Sequence, residues 1–159
     1  MKRTIILIIV AVFFVGMGIL FLSRHQEKLS GMHNSSTTSD QFLPRESWTL
    51  AGYDTPESAF QSACWAESKG DWNAYLNSMT TEFKSAVEKH VAGRSDSVNV
   101  SNMQKEAVQI AAFQIISNQT VSADECILHI SSPKLGKGKV TLQKIGNEWK
   151  LAGDVTADK

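Results

Sequence analysis

The chain has 159 residues, with 16 Lys plus Arg against 16 Asp plus Glu, so there is no basic excess to neutralise a phosphate backbone. From Trp48 onward 11 basic side chains face 13 acidic ones, a weakly acidic domain without the basic, aromatic-interleaved stripe of a nucleic-acid binder. The four histidines, His25, His33, His90 and His129, show no paired-ligand spacing, so no metal site is expected.

Residues 4–22, TIILIIVAVFFVGMGILFL, are apolar or small and carry no charge. As a helix they would extend roughly 28 Å, close to the ~30 Å hydrocarbon core of a bilayer and longer than the apolar core of a signal peptide. The following residues offer no small-x-small cleavage site, and no cysteine follows that could accept a lipid. A retained single span is the expectation. Lys2 and Arg3 before the run bias the short N-terminus inward and the long C-terminal part outward. Residues 23–46 are rich in Ser, Thr, Asn, Gln and Asp, with too little apolar surface to offset the entropy of ordering, and read as a flexible tether. About 110 residues remain, enough for one packed core. The expected organisation is therefore a cytoplasmic N-terminus (1–3), a transmembrane helix (4–22), a tether (23–46), one domain (47–154) and a tail (155–159).

Within the domain, Thr55-Pro56-Glu57-Ser58 is a helix start, with Thr55 as cap and proline at the first helical position. The helix should run to about residue 69. Ala59, Phe60, Ala63 and Cys64 recur at helical spacing as the buried stripe, while Glu57, Gln61, Glu67 and Ser68 are assigned to other faces. Gly70 ends it. Asp71 caps a shorter helix from residue 72 to about 78, and Thr80 or Thr81 caps a third that reaches Gly93. Residues 93–102 read as a loop and 103–112 as a short fourth helix. The period then changes to that of strands, at 113–121 and 125–131, with Cys126, Leu128 and Ile130 on one face and His129 with Ile127 on the other. A loop over 132–138 leads to a strand carrying Val140 and Leu142. Gly146-Asn147 signals a two-residue hairpin before a last strand with Trp149 and Leu151. Helices first and an antiparallel meander afterwards is an α+β layout.

Several of these stretches together resemble the nuclear transport factor 2-like superfamily, and more closely its bacterial exported or membrane-anchored members. They are the run Trp48 to Phe60, the Trp65-Ala66 pair, Gly70-Asp71, and the ending Lys144-Ile-Gly-Asn-Glu-Trp-Lys-Leu-Ala-Gly153. The resemblance implies a cone in which a curved antiparallel sheet wraps the long first helix, often with a pocket at the wide end. It also implies a bacterial inner-membrane protein with its domain in the periplasm. In such a cone Cys64 and Cys126 lie on facing surfaces. A disulfide worth roughly 3 to 4 kcal/mol for a loop of about 60 residues and a pair of unpaired core thiols are both compatible with that placement.

Activity has to be argued from residues, because one fold hosts many functions. Proton-transfer enzymes of this fold need a positioned carboxylate and a tyrosine or buried acid facing the cavity. No tyrosine falls on the buried stripe, Asp124 and Glu125 sit at a turn, and Glu82 and Glu88 read as solvated. Residues 133–139, Pro-Lys-Leu-Gly-Lys-Gly-Lys, lack the spacing of a phosphate cradle and precede a strand, so no cofactor is expected. Their three lysines suit an acidic partner or lipid headgroups. Trp65, Trp72 and His129 are the candidate ligand-binding residues, at the rim of any pocket, and no catalytic residue is assigned. The expected role is an anchored binding or protein-interaction module, its partner a protein or a small apolar ligand, with homodimerisation through the sheet as one form of it. The competing reading is a small isomerase or dehydratase.

Overall fold

The structure, a computed structural model, describes residues 41–157. The expected span at 4–22, the residues before it and the tether up to residue 40 lie outside the described residues. Among the described residues no helix is long and apolar enough to cross a membrane.

The first long helix, α1 (Pro56–Lys69), is set by its N-terminus: Thr55 Oγ1 accepts from the Ser58 amide at 3.1 Å while Ser58 Oγ accepts from the Thr55 amide at 3.1 Å. It ends at Gly70, whose φ of 72° is the left-handed conformation that glycine adopts without penalty. A side chain at Gly70 would also collide with Val100 Cγ1 at 2.8 Å and Gln104 Nε2 at 2.9 Å, because the fourth helix lies directly against this turn. Asp71 Oδ1 accepts from the Ala74 amide to cap α2 (Trp72–Asn77), and Thr80 Oγ1 accepts from the Phe83 amide to cap α3 (Thr81–His90).

The fourth helix, α4 (Asp96–Ile110), corrects the expectation of a loop over 93–102 and a short helix after it. Asn99, Met103 and Ala107 are buried at intervals of four, so the polar residues 96–102 form the first turns of a helix held by packing, not by propensity. Ala111 closes it with a φ of 59°.

The sheet is antiparallel and curled. Its strands are β1 (Leu43–Pro44), β2 (Ala112–Ser122), β3 (Glu125–Ser132), β4 (Gly136–Ile145), β5 (Glu148–Leu151) and β6 (Thr156–Ala157). The order is β1-β2-β3-β4-β5, with β6 also paired to β4. The α+β layout thus holds. β1 pairs Leu43 with Phe113 and Pro44 with Ala112, so ordered structure begins before residue 47, inside the segment assigned to the tether. Trp48, 3% exposed, fastens this end by donating from Nε1 to the Leu43 carbonyl at 3.0 Å and by packing on Phe113 at 5.5 Å. The expected loop at 132–138 is a tight turn, since Ser132 already pairs with Gly136.

The face that holds Cys126, Leu128 and Ile130 of β3, Val140 and Leu142 of β4 and Leu151 of β5 meets Ala59, Phe60, Ala63 and Cys64 of α1 in one core. Both cysteines are buried and free, so no disulfide joins α1 to β3.

Candidate functional site

The three residues expected at a pocket rim are not brought together. His129 projects from the face of β3 opposite Leu128 and Ile130, where its Nε2 lies 3.4 Å from Gln119 Oε1. Trp65 and Trp72 are half-buried on the helices and pack against the core, with the Trp72 ring 6.0 Å from that of Tyr75. Alternation along β3 places His129 on the outer surface of the sheet, whereas the helices cover its inner surface.

Ionisable groups converge elsewhere. Glu67 of α1 is only 7% exposed. It continues the stripe of Phe60, Ala63 and Cys64 by one further turn, which contradicts its expected place on another face. Around it stand Tyr75 of α2, Glu106 of α4 and Asp154, which follows β5. The Glu67 carboxyl is pushed up to about 8, first by burial and then by the negative charges of Glu106 and Asp154. At neutral pH it therefore holds its proton. Burial, then Glu67, Asp154 and Glu106, push the Tyr75 phenol well up, so it stays protonated. Glu106 and Asp154 are exposed at the rim, and partial burial raises both; His90, at the end of α3, opposes the rise at Asp154. Among the described residues, no hydrogen bond or ion pair engages the Glu67 carboxyl.

Local sequence explains the placement. The turn at Gly70 brings α2 back beside α1 and admits α4 close to both, which sets Tyr75 and Glu106 next to the last turn of α1. Asp154 is carried in by the segment that joins β5 to β6, held by the Ala152 amide on the Thr141 carbonyl at 2.9 Å and by β6 on β4. Further along the buried face of α4, roughly 10 Å from Glu106 at 1.5 Å per residue, Asn99 Oδ1 is buried without a hydrogen-bond partner. The result is a cluster, the Glu67 recess, in which a buried protonated acid lies within electrostatic reach of two exposed carboxylates and a phenol. Among the described residues, no group of three or more His, Cys, Asp and Glu side chains is arranged to hold a metal ion. The signal that marks this site in the sequence is an acid in phase with an apolar helical stripe.

No family model matches the chain, and no curated protein is similar to it in sequence. A solved structure with which it shares a likeness is the solution structure of a SEC-C motif containing protein from Rhodopseudomonas palustris, at 10% identity and a TM-score of 0.48, covering 72% of this chain and 84% of that one. The resemblance to the nuclear transport factor 2-like superfamily is corrected: no family model matches the chain in its support. Its motifs, a Thr-Pro cap, a Gly-Asp break and a Gly-Asn hairpin, are start and stop signals that many α+β chains use for local reasons.

Proposed function

We propose that this chain is a single-pass, membrane-anchored binding module whose extracytoplasmic domain receives a cationic group of a protein partner, a lysine or arginine side chain, in the Glu67 recess. The observation that carries the reading is Glu67, a residue more than nine-tenths buried whose carboxyl feels the negative charges of Glu106 and Asp154. An incoming ammonium or guanidinium neutralises the rim and draws the proton off Glu67, whose carboxylate then accepts a charge-assisted hydrogen bond. Binding by this route releases a proton and strengthens as pH rises from 6 towards 8. The uncharged run at 4–22 supports the anchor.

Calorimetry of the full chain in detergent with a tetralysine peptide, repeated in buffers of different ionisation enthalpy, tests the recess. The expected result is one-to-one binding with proton release, lost in Glu67→Gln. Equal binding by the variant would remove the recess from the reading. Membrane retention after carbonate washing, with activity of an alkaline phosphatase fused after residue 157, tests the anchor and its orientation.

A desolvated acid beside a tyrosine also favours a second reading, an isomerase or dehydratase in which Glu67 transfers a proton. Turnover of a candidate carbonyl or hydroxy substrate that disappears in Glu67→Gln, with the fold intact, would establish the enzyme in place of the binder.

A further inference from the structure

The two ends of the sheet differ in charge. At one end the hairpins and the start of α1 carry Glu57, Asp124, Glu125 and Glu148, with Glu57 Oε1 accepting from Asn118 Nδ2 at 2.8 Å. Of the two lysines there, Lys150 is paired with Glu148 at 2.6 Å and lies 4.2 Å from the centre of the Tyr53 ring. The other end is basic at its turn, with the exposed Glu106 and Asp154 close by on α4 and before β6. Its turn, residues 133–135 between β3 and β4, carries Lys134, and Lys137 and Lys139 follow, both exposed on the outer face of β4. Leu135 at the tip is 61% exposed, and Val108 of α4 is 46% exposed where Lys134 Nζ donates to its carbonyl at 3.4 Å.

The chain also enters at the basic end. β1 covers only the first two residues of β2, and Arg45 follows at once, its amide on the Ala111 carbonyl at 2.9 Å. Ser132, just before the tip, donates to the Ile110 carbonyl at 2.9 Å, so the start of β2 and the β3–β4 turn share one edge of the domain. Two inter-strand steps of ~4.8 Å separate β1 from β3.

We infer that the β3–β4 turn docks on an anionic bilayer surface, with Leu135 entering the headgroup layer and Lys134, Lys137 and Lys139 facing lipid phosphates. The inference rests on the anchor reading above and not on the Glu67 recess. An anchored domain needs little intrinsic affinity, because tethering gives effective concentrations in the millimolar range. Each lysine close to an anionic surface contributes roughly fivefold, so three contribute about a hundredfold, and salt screens the effect. The acidic far end is repelled by the same surface, which orients the domain tip-down. An acidic protein is the other chemistry that would suit the lysines, but it gives no role to the exposed Leu135 and Val108.

The test uses the full chain reconstituted in vesicles of phosphatidylcholine alone or with three-tenths phosphatidylglycerol, carrying a nitroxide at Leu135→Cys or, as a far-end control, at Val121→Cys. The native thiols are buried and do not compete for label at neutral pH. On anionic vesicles the label at 135 should gain several-fold in relative accessibility to oxygen over a nickel chelate, and the control should not. The gain should vanish in 0.5 M salt and in the Lys134→Gln, Lys137→Gln, Lys139→Gln triple variant. A label at 135 that stays as water-accessible as the one at 121 on anionic vesicles overturns the inference and leaves the lysines to an acidic protein. Flotation separates the two readings: a chain that floats with both vesicle types but shows no contact at 135 keeps the anchor and sinks the docking. A chain that floats only with anionic vesicles, through the lysines, sinks the anchor and keeps the docking.

Discussion

Glu67 makes the stability of the domain depend on pH in a direction opposite to that of a salt-bridged acid. Its folded value of about 8 lies above the ordinary 4.5, so the native state holds the proton more tightly than the unfolded chain does. The stabilisation is complete below pH 4.5 and is lost as pH rises towards 8. The gap corresponds to on the order of 5 kcal/mol. Denaturation midpoints of the wild type should rise as pH is lowered from 8 to 6, whereas Glu67→Gln should be flatter over that range and the more stable of the two at pH 8. Parallel curves for the two proteins would show that Glu67 is ordinarily solvated. Ala111 makes a separate case. With φ at 59° and ψ at −44°, it holds a conformation that penalises a Cβ, so Ala111→Gly should stabilise by roughly 1 kcal/mol in urea unfolding. A loss of stability would mean that the joint between α4 and β2 is relaxed.

Among the elements, β6 is lightly held. It pairs with β4 only through Gly138 with Ala157 and Lys139 with Thr156. A Cβ at Gly138 would stand 2.9 Å from Val155 Cγ1 and 3.0 Å from the Thr156 carbonyl oxygen, and backbone cannot yield as a side chain does. Gly138→Ala should therefore release β6 and let Asp154 drift from the recess, while the rest of the sheet stays paired. Amide exchange should accelerate several-fold at Lys139 and Thr156 and remain unchanged at Leu128. Elements of this kind are hard to read in a sequence. Thr156-Ala157 has no periodicity, and its place follows from a glycine eighteen residues earlier. The first three helices were legible because caps and glycine stops are written locally, at Thr55, Gly70, Asp71 and Thr80. So was the inner face of β3, where Cys126, Leu128 and Ile130 alternate. The first turns of α4 were not, since Asp96, Ser97 and Asn99 favour loops until a neighbouring helix covers them. The recess escaped for a related reason: Glu67 lies in phase with Cys64 and Ala63, but charge weighs against burial until Tyr75 and Glu106 arrive from distant positions.

For the whole molecule, one core joins α1 to the sheet, and Leu128 lies at its centre with no exposure. Leu128→Ala should cost 2 to 5 kcal/mol, a range set by how far Phe60, Val140 and Leu142 close the space. A smaller loss in urea unfolding would mean that the sheet folds against the helices less tightly than the burial indicates. The same core contains Cys64 and Cys126, and burial pushes the Cys64 thiol well up and the Cys126 thiol to about 12. Neither forms thiolate at neutral pH, so a maleimide should leave the native domain unmodified and label it only in denaturant. The unpaired thiols have a consequence for biogenesis: the domain needs no oxidant, no isomerase and no particular glutathione poise to reach its fold. It can reach the same core in a reducing or an oxidising compartment.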